Sequence, residues 1–135
     1  MPMDSNDKKN NVEKSKSLIN SIEFAMTGVK TVYKDERNMR IHTVCAFLVI
    51  LLGFLFQLDR FEWLWIGLCI FLVLAMEMLN TVCENIVNMT TGRHFHPLGK
   101  KAKDIAAAAV LMTAIFSIFV AALIFLPKIY QLLIY

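Results

Sequence analysis

Residues 63–87 read WLWIGLCIFLVLAMEMLNTVCENIV, an apolar run that contains two carboxylates near its end. A helix of about 20 apolar residues is long enough to cross the hydrocarbon core of a bilayer. Trp63 and Trp65 at the start of the run suit a membrane interface. A charge near the bilayer centre costs at least about 2.5 kcal/mol on insertion scales. We therefore expect Glu77 and Glu84 to carry the chemistry of a membrane protein.

Apolar stretches on both sides of this run predict two further spans. The 135 residues are 57% hydrophobic and 19% charged, against about 45–50% apolar and about 25% charged in soluble domains. The predicted spans cover about residues 39–58, 63–87 and 105–126. Asp104 is expected to cap the last helix and Pro127 to end it. The fold class is therefore an all-α membrane protein with three transmembrane helices.

A fourth, amphipathic helix is predicted before the first span, over about residues 17–34. Apolar residues recur there every three or four positions: Leu18, Ile22, Ala25, Val29 and Val32. Such a helix suits the membrane surface, and packing against the protein itself is the alternative. Residues 1–16 are polar and are predicted to be disordered. Residues 17–135 then form a single membrane-embedded domain.

Lysine and arginine are concentrated before the first span and between the second and third spans. Because both clusters flank apolar segments, anionic lipid headgroups explain them better than nucleic acid, and we predict no nucleic-acid partner. The positive-inside rule places the N-terminus and the 88–104 loop in the cytoplasm and the C-terminus outside. Cys45, Cys69 and Cys83 lie in apolar segments and are interpreted as small packing residues.

Four polar residues share one side of the middle span. At about 100° per residue, Glu77, Glu84 and Asn88 fall within about 40° of one another, and Asn80 lies about 60° to one side. Glu84 and Asn88 should reach the cytoplasmic interface, with Glu77 about two turns deeper. A polar seam that joins helices is one interpretation. The two glutamates favour an ion site or an acid–base site.

Charged residues next to this span should lie at the same membrane face. One group, including Glu36, precedes the first span; the other, including His94, Lys103 and Asp104, surrounds the second loop. Each group alone could be a solvated charged collar. Carboxylates gathered with lysine and arginine at one membrane face indicate a divalent ion and a phosphate. P-loop, protein-kinase and Rossmann glycine patterns are absent from the sequence, so a nucleotide site would have an unusual construction.

Three segments carry a resemblance to a known family. Residues 77–88 (EMLNTVCENIVN) resemble the signature E-x-x-N-[ST]-A-x-E-x-x-x-D of the small prokaryotic diacylglycerol kinase family. Residues 102–111 (AKDIAAAAVL) are similar to its A-K-D-x-x-x-A-A-V-L element, and residues 36–42 (ERNMRIH) to the E-x-N-x-R/K-x-H element of its Gram-positive members. The resemblance covers about residues 17–126, and Asn88 stands where the signature has aspartate.

The resemblance implies a homotrimer that transfers the γ-phosphate of Mg-ATP to a lipid hydroxyl. Gram-positive members use undecaprenol and Gram-negative members diacylglycerol. By motif position, Glu77 would be the base, and Asn80 would help to orient the lipid hydroxyl or Glu77. Glu36 and Glu84 would hold Mg²⁺. The nucleotide would also contact Asn88, His94, Lys103 and Asp104.

Undecaprenol is the predicted acceptor, and diacylglycerol is the alternative. A rival hypothesis from another class is a non-catalytic membrane protein, either an ion pathway or an assembly subunit, which would explain Glu77 and Glu84 as a pathway or a seam. A third hypothesis is a member of the kinase family that is inactivated at Asn88.

Overall fold

The computed structural model describes residues 18–134, which form four helices joined by short connections. The helices are α1 (Leu18–Asp35), α2 (Arg37–Leu55), α3 (Arg60–Thr91) and α4 (Pro97–Ile134). Helices α2, α3 and α4 are long and apolar enough to cross a membrane, and residues 18–134 contain no strand. The predicted all-α fold with three transmembrane helices is confirmed. The disorder predicted for residues 1–16 lies outside the described residues.

Helix α1 belongs to a first unit of the chain, and a second unit that begins at Glu36 holds the other three helices. The amphipathic character predicted for α1 is present, and apolar residues such as Ile22 and Val29 are exposed. Thr27 and Thr31 each donate a side-chain hydrogen bond of 2.9 Å to the carbonyl four residues earlier. Its location on the membrane surface stays a prediction.

The turn between α2 and α3 is fixed by a capping box, in which two side chains satisfy free backbone donors. Asp59 Oδ1 accepts from the backbone N–H groups of Phe61 (2.8 Å) and Glu62 (2.9 Å). Glu62 Oε2 accepts from the Asp59 N–H at 2.8 Å and also lies 3.0 Å from Lys128 Nζ on α4. One carboxylate therefore completes the start of α3 and holds the distant end of α4.

Both residues expected to delimit the last helix lie inside it, so those two predictions are wrong. Helix α4 begins at Pro97, because a proline ring suits the first helical position, where no N–H partner is needed. Asp104 lies two turns further on and pairs with Lys100 instead of capping the helix. Pro127 lies within the 38-residue helix, which continues to Ile134. At about 1.5 Å per residue, α4 is longer than the roughly 30 Å hydrocarbon core.

Helix α3 is central and packs mainly on α4, with a smaller contact to α2. Leu58, Ile66 and Phe125 form the buried core near the capping box, and Trp63 packs against it. Gly53 of α2 lies against the Trp63 indole, which also contacts the Phe54 ring at a centroid distance of 4.9 Å. The absence of a side chain at residue 53 therefore lets α2 approach the start of α3.

We predict that Gly53→Ala lowers thermal stability in detergent. A Cβ at residue 53 would lie 2.6 Å from the outer edge of the Trp63 ring and 3.1 Å from Leu58, so the ring must move, at a cost of about 1–3 kcal/mol. Gly67→Ala is the matched control, because nothing lies within 4 Å of its Cβ. A helical alanine there should be neutral or stabilising by up to about 1 kcal/mol. Equal melting temperatures for the two variants would contradict the packing argument.

Candidate active site

The buried face of α3 carries an unpaired carboxylate. Glu77 is 1% exposed, and Asn80 and Thr81, on the same face, are 6% and 5% exposed. Within residues 18–134, neither Glu77 carboxylate oxygen nor Asn80 Oδ1 has a hydrogen-bond partner. Leaving buried polar atoms unpaired is costly, so native proteins keep them where another group binds. Glu77 and Asn80 are therefore available for a ligand.

Helix α2 adds polar residues to the surroundings of Glu77. His42 and Glu36 lie within electrostatic range of its carboxylate, and the Asn38 side chain lies beside it without forming a well-aligned hydrogen bond. Glu36 occupies the N-cap position of α2, but its side chain makes no capping hydrogen bond. Asn38 and His42 were not among the predicted site residues. Their i, i+4 spacing at the start of a span was the signal that they share one helix face.

Glu84 lies two turns beyond Glu77 on α3, and Asn80 lies between them. Asn80 Nδ2 donates to Glu84 Oε1 at 3.2 Å, which orients the half-buried Glu84 carboxylate. Glu84 and Glu36 both act electrostatically on Glu77. The structure thus brings together three of the predicted carboxylates, and this negative charge suits a cation.

The donor set fits Mg²⁺ only in part. In residues 18–134 no group of three His, Cys, Asp or Glu side chains is close enough to hold a metal by itself. Mg²⁺ in phosphoryl-transfer sites is usually bound by one or two carboxylates, completed by substrate phosphates and water. Glu36 and Glu84 can supply such a pair, so the residues fit an ion that arrives with a nucleotide.

A second polar region lies where α3 ends and α4 begins. This basic pocket has a volume of about 420 Å³, and its polar lining is supplied mainly by the following residues: Asn88, Thr91, Arg93, His94, His96, Lys100 and Lys103. Lys103 Nζ donates to Asn88 Oδ1 at 2.8 Å across the two helices. Three predicted nucleotide residues, Asn88, His94 and Lys103, therefore share one pocket. Asp104 does not line the pocket; it is exposed and pairs with Lys100.

The backbone next to the basic pocket makes a tight reversal. Gly92 ends α3 in the left-handed region at φ 58°, and Arg93 follows at φ 63°. The Arg93 N–H donates to the Asn88 carbonyl at 3.0 Å, which caps the free end of α3. At Gly99 a Cβ would lie 2.9 Å from Val87. Glycine at residue 99 therefore allows the start of α4 to pack closely on the end of α3.

An apolar groove of about 290 Å³ lies between α2, α3 and α4. Small side chains line much of it: Cys45, Ala46, Cys69, Ala114, Ser117 and Ala121. His42, which lies near Glu77, also lines this groove. A groove of this composition suits a hydrocarbon chain.

The arrangement can therefore serve proton abstraction from a lipid and charge neutralisation of a phosphate. Glu77 lies about one turn along α3 from Val73 and Leu74, which line the apolar groove. Glu84 and Asn88 lie about 10 Å and 16 Å further along α3. A general base must reach the proton that it removes, and phosphoryl transfer needs positioned positive charge. Glu77 of α3 can meet the first requirement, whereas the second needs Lys103 of α4 or a cation bound near Glu84.

Comparison with known proteins supports this interpretation. The undecaprenol kinase of Bacillus subtilis is 40% identical over 126 residues, which cover 93% of this chain and 99% of that protein. The diacylglycerol kinase of Synechocystis sp. is 35% identical over 127 residues, covering 94% of this chain and 73% of that protein. The diacylglycerol kinase of Helicobacter pylori strain J99 is 34% identical over 105 residues, covering 78% and 81%. Residues 23–125 match the family model of the prokaryotic diacylglycerol kinases. The chain therefore belongs to the prokaryotic diacylglycerol kinase family and is a membrane-spanning lipid kinase.

Proposed function

We propose that this lipid kinase transfers the γ-phosphate of ATP to the hydroxyl of undecaprenol. The observation that carries the proposal is the unpaired Glu77 carboxylate, about one helical turn from the Val73 and Leu74 side chains that line the apolar groove. The likeness to an undecaprenol kinase over 99% of that protein's length supports the choice of acceptor. Diacylglycerol is the second candidate, because the relatives also include diacylglycerol kinases.

In the proposed reaction Glu77 accepts the proton of the lipid hydroxyl. The hydroxyl oxygen then forms a bond to the γ-phosphorus while the bond between that phosphorus and the ADP oxygen breaks. Asn80 Oδ1, buried and unpaired, would accept a hydrogen bond that orients the hydroxyl. Burial within the protein keeps water from competing as the acceptor.

ATP, the phosphate donor, would be bound by the Glu36 and Glu84 carboxylates and by the basic pocket. Glu36 and Glu84 would hold Mg²⁺, which supplies positive charge to the phosphate oxygens when it is bound with ATP. Lys103, Asn88 and His94 in the basic pocket would contact the nucleotide, with Asp104 acting through its pair with Lys100.

The proposed orientation places the basic pocket and the N-terminus in the cytoplasm and the C-terminus outside the bacterial cell membrane. The distribution of lysine and arginine supports this orientation, because basic residues are retained on the cytoplasmic side. ATP would then reach the basic pocket directly. Residues 17–135 would act as one lipid kinase domain, with α1 on the cytoplasmic membrane surface.

We also propose that the enzyme is a homotrimer. Apolar residues follow an alternating spacing of three and four on the face of α3 that is turned away from Glu77. They are Phe61, Trp65, Leu68, Leu72, Ala75, Leu79, Val82, Ile86 and Met89. Several are well exposed in the single chain, including Leu79 (58%) and Ile86 (53%). This heptad spacing is typical of a helix that packs against copies of itself, so α3 would form the contact between subunits.

We predict that undecaprenol is phosphorylated at least about tenfold faster than diacylglycerol, a ratio that corresponds to about 1.4 kcal/mol. The measurement is transfer of radiolabelled phosphate from Mg-ATP to each lipid in mixed detergent micelles. Preference for diacylglycerol would move the assignment to the second candidate, and no transfer to either lipid would reject the proposed function.

Glu77→Gln should lower kcat by at least about 100-fold, because the amide keeps the size of the side chain but cannot accept the proton. Binding of Mg-ATP, measured by equilibrium dialysis, should stay within about twofold of the wild-type affinity. Glu23→Gln, which removes an exposed carboxylate from α1, is the control and should retain turnover. Near-normal turnover of Glu77→Gln would show that another group is the base.

For the trimer, we expect light scattering in detergent to give a protein mass of three chains. Val82→Trp should reduce that mass, because a bulky ring would overpack a close helix contact. Leu123→Trp, on the exposed surface of α4, is the control and should keep the wild-type mass. An unchanged mass for Val82→Trp, or a wild-type monomer, would contradict an α3-centred trimer.

A further inference from the structure

We propose that Asn88 is a positioning residue that holds the Lys103 ammonium with a neutral amide, so that the full charge of Lys103 acts on the nucleotide phosphates. This inference rests on the proposed function, in which the basic pocket receives ATP. Residue 88 is asparagine in this chain and aspartate in the family signature. We expect the neutral side chain to strengthen nucleotide binding rather than to inactivate the enzyme.

The two side chains meet across the interface between α3 and α4. Lys103 Nζ donates to Asn88 Oδ1 at 2.8 Å, and both residues are half-buried. A hydrogen bond between half-buried groups fixes the ammonium more firmly than one between exposed groups, because water competes less for either partner. Lys103 is therefore held in one place within the pocket.

Lys103 differs from the other lysine of the pocket in the charge of its hydrogen-bond partner. The lining contains Arg93, His94 and His96 as well as two lysines, and the described lining includes no carboxylate. Of the two lysines, Lys100 is paired with the carboxylate of Asp104. Lys103 donates its hydrogen bond to an amide, which carries no net charge. The pocket thus keeps its positive charge for a polyanion.

An aspartate at residue 88 would change two properties of the pocket. Its carboxylate would form an ion pair with Lys103, which would cancel the positive charge at short range. It would also remove the Nδ2 amide donor, leaving an acceptor that repels phosphate oxygens. The asparagine avoids both effects: its oxygen holds the lysine, and its NH₂ group remains a potential donor to phosphate.

The test is steady-state kinetics of Asn88→Asp with Mg-ATP varied at saturating undecaprenol. We expect KM for ATP to rise roughly tenfold, corresponding to about 1.4 kcal/mol, while kcat stays within about threefold. Asn85→Asp is the matched control, because it places the same charge on an exposed site of α3 outside the pocket lining. Its KM for ATP should remain within about twofold of the wild-type value.

A double-mutant cycle between Asn88 and Lys103 distinguishes positioning of the lysine from a purely structural role of Asn88. Lys103→Met should itself raise KM for ATP, and Asn88→Asp should add much less in that background than in the wild type. Asn88→Ala removes the hydrogen bond without adding charge, so its effect should be smaller than that of Asn88→Asp. Equal effects of the alanine and aspartate variants, or additive effects with Lys103→Met, would overturn the inference. So would a lower KM or a higher kcat for Asn88→Asp.

Direct binding of Mg-ATP by equilibrium dialysis, without any lipid acceptor, makes this test independent of the acceptor assignment. If the wild type phosphorylates neither lipid, the proposed function fails, whereas weaker ATP binding by Asn88→Asp would still support the role of Asn88. If the wild type is active and Asn88→Asp binds ATP as tightly, only the inference about Asn88 fails.

Discussion

The burial of the Glu77 carboxylate constrains how the three long helices are arranged. A charged group cannot face lipid without a large cost, so α3 must turn that side toward protein. Residues at the start of α2 lie near Glu77, which is 1% exposed. The opposite side of α3 is then left with its apolar side chains outward, including Leu79 and Ile86. The position of one acid therefore determines which face of α3 points away from the protein and would form the subunit contact in the proposed trimer.

Helices α3 and α4 are joined near both ends by polar contacts, whereas the space between them is mainly apolar. Glu62 pairs with Lys128 at one end, and Asn88 bonds to Lys103 at the other. The contacts are separated by nearly equal lengths of helix, about 39 Å along α3 and about 38 Å along α4. Antiparallel helices with matched contact spacing keep a fixed register. Glu77 and the apolar groove lie between these two fixed points.

The membrane fold and the buried face of α3 could be predicted because both depend on local patterns, namely long apolar runs and helical periodicity. The ends of α4 could not: Asp104 has the chemistry of a cap and Pro127 that of a helix end. Pro97 was the better start signal, and Lys128 pairs with Glu62 beyond Pro127. The contact between Asn88 and Lys103 depends on the packing of two helices, which periodicity within each helix does not determine.

The short connection between α3 and α4 places the whole basic pocket within residues 87–103, whereas the apolar groove needs side chains from three helices. If the basic pocket binds the nucleotide and the groove binds the lipid, as proposed, substitutions that alter the two sites fall in largely separate parts of the sequence. Mutations can therefore accumulate in the two parts independently. Preference for the acceptor lipid can change in evolution while residues 87–103 stay the same. In such a small enzyme, the recognition of each substrate can diverge at its own rate.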